Sequence, residues 1–348
     1  MQSAYLILEN GTVFTGRHFG ATAAAVGELV VTTVMGGFTE SLTDPNYANQ
    51  IIMFSFPMIG NYGVSREDME SATCPARGVV VRECSDTPSN FRAELSMNDF
   101  LKQENVIGIS GVDTRALTQL LRDCGPMRAV ITTEEPKGQT IPNHAWIDTN
   151  RLEKPKIRLP AQTILHHVAI LDYGANNSLI AALLSRGCKV TQLPYRTGAA
   201  EIISLAPDGV LVSGGAGDPA DYDTTEIIKL LGRLPMLGIG LGHQLMARAV
   251  GANTVRMKLG HRGANQPVRD LKTKKILVTQ QNHGFVVDRD SLCNTEAVLR
   301  YENVNDQSCE GLDYPNLSAF SLQFAPETHQ VSDERKTLDR FLAMLEGK

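Results

Sequence analysis

The stretch Pro235-Met236-Leu237-Gly238-Ile239-Gly240-Leu241-Gly242-His243-Gln244-Leu245 constrains the fold more than any other part of the chain. It reads as a short apolar strand, a sharp turn flanked by glycines, and a helix that sets Leu241, Leu245 and Ala249 on one face. A turn of this kind pushes the side chain at its apex into a pocket beside the free N–H groups of the new helix. The apex residue is Gly240, whose side chain is a hydrogen atom.

The same rhythm runs through the second half of the chain. Val168 to Asp172 reads as a strand, Leu179 to Leu184 as a helix, then Lys189 to Leu193 and Gly209 to Ser213 as further strands. Continuous apolar strands separated by helices imply a mainly parallel sheet covered by helices on both faces. A final helix is expected with Ser332 as its cap, Asp333 and Glu334 in its first turn, and Leu338, Phe341, Leu342 and Leu345 on one face.

The first part differs. β-branched segments such as Glu28-Leu29-Val30-Val31-Thr32-Thr33-Val34 alternate with turn clusters. One clear helix starts at Asp113 or Thr114, carries Leu117, Leu120 and Leu121, and stops at Gly125-Pro126. This predicts a separate α/β or α+β domain over residues 1–132. Residues 133–163 are polar and punctuated by proline, and read as a linker to a second domain over 164–348.

With 348 residues the chain is long enough for two ordinary cores. Lys plus Arg total 33 against 38 for Asp plus Glu, and neither sign forms a long run, which argues against a nucleic-acid or anionic-membrane surface. The N-terminus lacks a basic region followed by a long apolar stretch, so a cytoplasmic protein without a membrane span is expected. Cys74, Cys84, Cys124, Cys188, Cys293 and Cys309 form no Cys-x-x-Cys pair, and read as inert thiols rather than a zinc or disulfide framework. His166-His167 point to opposite faces of a strand, and no metal site is expected.

In an open parallel sheet, ligands bind beyond the carboxyl ends of the strands. Three loops qualify: Gly214-Gly215-Ala216-Gly217-Asp218-Pro219, the turn at Gly240, and Phe324-Ala325-Pro326-Glu327. Gly238-x-Gly240-x-Gly242 is superficially like a dinucleotide fingerprint, but the third glycine position is His243 and no strand-end carboxylate follows at the required distance. The turn instead resembles the nucleophile elbow of the class I glutamine amidotransferases, Gly-x-Cys-x-Gly-His-Gln, with Gly240 in place of cysteine. Gln323-Phe324-Ala325-Pro326-Glu327 resembles their Gln-Phe-His-Pro-Glu, with Ala325 in place of histidine.

Within that group the chain resembles the carbamoyl phosphate synthetase small chains along nearly its whole length. The amino-terminal signatures run from Gly37 to Tyr47, from Ile59 to Gly63 and from Asp113 to Thr118; Ser213 to Pro219, His261 to Val268 and Gln281 to Phe285 match in the second half. The linker is shorter than in typical members. The resemblance implies a fold of a small-chain-specific α/β domain followed by a class I amidotransferase domain. It implies that Gly240 marks the nucleophile position, Ala325 the base position, and Glu327 the surviving orienter of the base. The Gly215 and Leu241 amides would form an oxyanion hole, and Gly217, Gln244, Asn282, Gly284 and Phe285 a glutamine pocket. Asn46 stands where the family often has a serine reaching in from the first domain.

A cysteine thiolate attacks the glutamine amide in this family while histidine moves the proton. Glycine and alanine can do neither, so no glutamine hydrolysis is expected. His243 and His283 read as scaffold elements, and Cys188, Cys293 and Cys309 as structural thiols. The expected partner is a large synthetase chain that binds ATP and Mg²⁺, this chain itself carrying no Gly-x-x-x-x-Gly-Lys phosphate loop and no cofactor. The arginine or pyrimidine pathway served is left open. The alternatives are a stand-alone glutamine-binding or sensing module and an inactivated variant of an ordinary glutaminase subunit.

Overall fold

Short β-branched and apolar runs make the first half of the chain predominantly strand. A computed structural model describes residues 2–136, 141, 152–326 and 335–347. The chain divides into two units, Met1–Thr149 and Asn150–Lys348. In the first, β1 (Ser3–Leu8), β2 (Val13–Gly20), β3 (Ala25–Thr32), α1 (Phe38–Thr43) and β4 (Gln50–Phe54) are followed by the short strands β5 (Met58–Ile59), β6 (Gly78–Val80) and β7 (Glu83–Cys84). Then come α2 (Met97–Gln103), β8 (Ile107–Ser110), α3 (Thr114–Cys124) and β9 (Met127–Thr132). Seven of these strands close into a barrel in the order β1-β2-β8-β6-β4-β3-β9, with β9 returning antiparallel to β1.

Strand β4 explains why this unit needs two cores. All five of its residues are buried. Ile51 and Met53 pack with Leu6, Leu29, Ile109, Leu117 and Ile131. Ile52 and Phe54, on the other side of the strand, pack with Phe38, Val79, Phe100 and Leu101. The α3 helix begins and ends as its sequence predicts: the Asp113 side chain accepts from the Ala116 N–H, and Gly125 at φ 86° terminates it. Closure into a barrel rests on long-range pairings, β1 with β9 and β2 with β8, that no local pattern announces.

The second unit holds β10 (Lys156–Arg158), β11 (His166–Asp172), α4 (Asn177–Leu184), β12 (Cys188–Pro194), α5 (Ala199–Ser204), β13 (Gly209–Val212), α6 (Thr225–Leu230), β14 (Met236–Ile239) and α7 (Leu241–Ala249). It continues with β15 (Thr254–Asp270), β16 (Ile276–Val287), β17 (Val298–Asn303), β18 (Cys309–Tyr314), β19 (Ala319–Leu322) and α8 (Arg335–Glu346). One ten-stranded sheet has the order β10-β12-β11-β13-β14-β19-β18-β17-β15-β16. The run β12-β11-β13-β14-β19 is parallel, and β18 to β16 extend it antiparallel.

Both faces of the parallel part are covered. Ala169 and Leu171 of β11 pack with Ile202 of α5, Leu230 of α6 and Leu241 and Leu245 of α7. The intervening Val168 and Ile170 pack with Leu179 and Leu183 of α4 and Leu338, Phe341 and Leu345 of α8. The expected mixed α/β architecture with a helix-covered, mainly parallel sheet is therefore present.

Part of the expected linker needs correcting. Lys156–Arg158 is an edge strand, paired antiparallel with β12, and Arg158 donates to the Gln192 side chain. Its three residues are all exposed, so backbone pairing alone makes it a strand and no hydrophobic alternation announces it. Residues 137–140 and 142–151 of that stretch lie outside the described residues, as do the expected cap Ser332 and the acidic Asp333 and Glu334. No helix among the described residues is long and apolar enough to cross a membrane.

Phe341 is fully buried on the α8 face of the sheet. Phe341→Ala is expected to cost about 3–5 kcal/mol of unfolding free energy, measurable by denaturant titration; an unchanged midpoint would contradict the packing.

Candidate functional site

The parallel strands end side by side, so the loops that follow them share one edge of the sheet. Ile239 pairs with Leu322 and Val212 with Gly238, which sets Gly240 next to Gln323 and close to the loop that begins at Ser213. Gly240 lies at φ 54°, ψ −113°, a conformation that L side chains rarely adopt. Its N–H donates to the Leu322 carbonyl at 2.8 Å and its carbonyl accepts from the Gln244 N–H at 3.3 Å. A Cβ added here would meet, among the described residues, the Gly214 Cα at 3.5 Å. The elbow therefore has room for a side chain and a backbone that strains one.

Its neighbour is the opposite case. Gly242 presses onto the end of β13, where an added Cβ would overlap the Val212 carbonyl oxygen, and its N–H donates to the Ser213 carbonyl at 3.0 Å. Gly215 and Leu241 adjoin: a Cβ on Gly215 would reach the Tyr173 carbonyl at 2.5 Å and the Leu241 Cδ2 at 3.0 Å. The β13 loop is held by Ser213, whose Oγ accepts from the Tyr173 N–H and donates to the Gly214 carbonyl. Gly217 lies farther along that loop at φ 110°, and the Tyr222 hydroxyl donates to the Ala216 carbonyl.

Gln244, on the first turns of α7, donates to the Phe285 carbonyl at 2.7 Å and to Gln323 Oε1 at 2.8 Å. Sequence reading missed Gln323 because its role depends on a contact 79 positions away. Gln323 is buried, and its Nε2 has no acceptor among the described residues. Ala325 is tied through its N–H to the Gln280 carbonyl at 3.1 Å. Asn282 and Gly284 lie on β16, where Asn282 is opposite Arg262 of β15. The Arg262 guanidinium would stand 3.0 Å from a Cβ added to Gly284. Glu327 and His329 lie outside the described residues. Asn46 belongs to the first unit, where its amide donates to Asp44 at 2.6 Å.

Residues 6–131 match the carbamoyl-phosphate synthase small chain, CPSase domain, and residues 169–345 match the glutamine amidotransferase class-I domain. A carbamoyl phosphate synthase small chain from Staphylococcus epidermidis is 41% identical over 99% of this chain and 96% of its own length. One from Bacillus cereus is 41% identical over 98% and 96%. The chain belongs to the carbamoyl phosphate synthase small-chain family. A solved glutamine amidotransferase from Thermotoga maritima aligns with 53% of this chain and 97% of its own, at 18% identity and TM-score 0.40.

A cysteine of β18 and a histidine of α7 lie close enough to imitate a catalytic pair. Cys309 Sγ lies 4.0 Å from His243 Nε2, and His243 Nδ1 lies 2.7 Å from Ser321 Oγ. Both residues are fully buried. Burial pushes the Cys309 thiol up to about 12 and holds the His243 imidazole down at about 3, so both stay neutral and no thiolate forms. Burial likewise raises Cys188 to about 11. These groups are scaffold, as their positions in the sequence suggested.

Two outcomes follow from this geometry. Gly240→Ala should lower stability by about 1–3 kcal/mol through backbone strain, and Gly242→Ala by more, because backbone rather than a side chain must move; urea unfolding showing Gly242→Ala to be the milder change would contradict the close approach. In the native chain at mildly alkaline pH, a chromogenic disulfide should label the exposed Cys124 and Cys293 and leave Cys188 and Cys309 untouched until unfolding; Cys309 reacting as fast as Cys124 would reveal a solvent path to the buried pair.

Proposed function

We propose that this small-chain family member does not hydrolyse glutamine and serves as a structural or regulatory partner of an ammonia-using large synthetase chain. The observation that carries the reading is the pair of substitutions at one sheet edge: glycine at the elbow apex and a methyl group at Ala325. An acyl-enzyme needs a thiol or hydroxyl at position 240, and proton transfer needs a base at position 325. Loss of the nucleophile alone costs a cooperating triad roughly 10⁶-fold in turnover. What survives in this reading is oxyanion stabilisation by the Gly215 and Leu241 amides, and a pocket lined by Gly217, Gln244, Asn282, Gly284 and Phe285, with Glu327 no longer orienting a base. The large chain would supply the ATP, bicarbonate and Mg²⁺ chemistry.

A second reading is glutamine binding without cleavage. It is favoured by Gln323 Nε2, a buried donor beside Gln244 for which a ligand oxygen would supply the acceptor. Isothermal calorimetry tests it separately: no heat with millimolar glutamine removes it.

The main test is reconstitution with a large synthetase chain. Co-purification and carbamoyl phosphate synthesis from ammonia, with no synthesis from glutamine, are expected; glutamine-dependent synthesis by the unaltered pair refutes the proposal. Combining Gly240→Cys with Ala325→His should restore glutamine hydrolysis, and either change alone should not.

A further inference from the structure

Behind the strand that carries Asn282 and Gly284, two histidines and a carboxylate from three strands converge on one point. His261 comes from β15, His283 from β16 and Glu310 from β18, and their donor atoms all lie within 4.8 Å of one another. His261 Nδ1 is already 3.3 Å from Glu310 Oε1. Ligands held at about 2.1 Å in a tetrahedral site are about 3.4 Å apart, so only His283 needs to draw closer. Glu310 is fully buried and His283 nearly so.

The outer nitrogens of both rings are already committed. His261 Nε2 faces Asp306 Oδ2 at 2.9 Å, and His283 Nδ1 faces the Phe285 carbonyl at 2.9 Å. In a metal-bound state, an N–H on each outer nitrogen would satisfy those acceptors and free the inner nitrogens, His261 Nδ1 and His283 Nε2, to act as ligands. This is the outer-shell pattern that orients metal-bound histidines. The inner side presents further acceptors: Gln281 Oε1 stands 3.1 Å from His261 Nδ1 and 3.0 Å from His283 Nε2. These acceptors need a positive charge at the buried point they share, which either a cation or a proton on His261 Nδ1 can supply.

We propose that His261, His283 and Glu310 form a structural site for a borderline divalent cation of the zinc class, with Gln281 Oε1 as the fourth donor. Two imidazoles and a carboxylate suit zinc, cobalt or nickel better than calcium or magnesium. Arg262 also faces His283, and the carboxylates of Asp306 and Glu310 outweigh its single charge. A proton on His261 Nδ1, ion-paired with Glu310, is the competing occupant, and the cation displaces it on binding.

The cation would rivet β15, β16 and β18 together. Side chains alternate along β16, so Gln281 and His283 on one face are fixed while Asn282 and Gly284 are presented on the other. The Glu310 carbonyl accepts from the Gln323 N–H at 2.9 Å, which couples the same site to the loop bearing Ala325. No local spacing in the sequence reveals it, because the three ligands come from three strands.

The test uses the full chain stripped with chelator and titrated with Co²⁺, then Zn²⁺. One equivalent of Co²⁺ should give visible d–d bands without thiolate charge transfer, Zn²⁺ should displace it, and both should raise the melting temperature. Glu310→Gln should lose the bands while remaining folded by circular dichroism. Asp306→Asn, at a side chain 44% exposed, should weaken affinity about 10–100-fold, which keeps the test informative if Glu310→Gln fails to fold. Absent bands in the unaltered chain, or Co²⁺ affinity unchanged in Asp306→Asn, overturns the proposal.

Discussion

Helix α7 can begin where it does because Gly242 lets its first turn lie against the end of β13, with the Gly242 N–H donating to the Ser213 carbonyl. That close approach fixes the turn between β14 and α7, and the turn then fixes the backbone at Gly240. From the same contact follow the adjacency of Leu241 to Gly215 and the reach of Gln244 to Phe285 and Gln323. Chemistry at the apex is a separate matter from this geometry. Glycine at position 240 carries no side chain that the φ 54° backbone would strain, so the turn itself costs the fold little.

The division between what was and was not legible beforehand follows sequence distance. The parallel strands, α3 with its Asp113 cap and the elbow itself are local patterns, each set by a dozen residues of periodicity and turn chemistry. The barrel of the first unit is not local: β2 pairs with β8 and β1 with β9 across most of the domain. Residues Lys156–Arg158 form a strand through backbone pairing alone, and nothing in three exposed residues signals that. Gln323 was visible only as part of a motif, because its partner is contributed by α7.

The same distinction applies to titratable groups. Cys309 and His243 look reactive as a pair 4.0 Å apart, yet burial keeps each in its neutral form. His261 is the contrasting case. Burial alone would lower its affinity for a proton, but hydrogen bonds and charge from Asp306 and Glu310 outweigh that and raise it to about 9. Proximity of a nucleophile and a base is therefore weak evidence of catalysis, and what decides the matter is whether the surroundings stabilise the charged form.

Electrostatics at Gly240 differ from those at Cys309. A cysteine placed at Gly240 would set its thiol at the start of α7, where the helix dipole favours the thiolate. The half-buried position leaves it open to a ligand, in contrast to the fully buried Cys309 on β18. A base at position 325 would then act on a nucleophile whose environment already favours its charged form. The first turn of α7 thus offers, at half-buried Gly240, a setting unlike the closed one around Cys309.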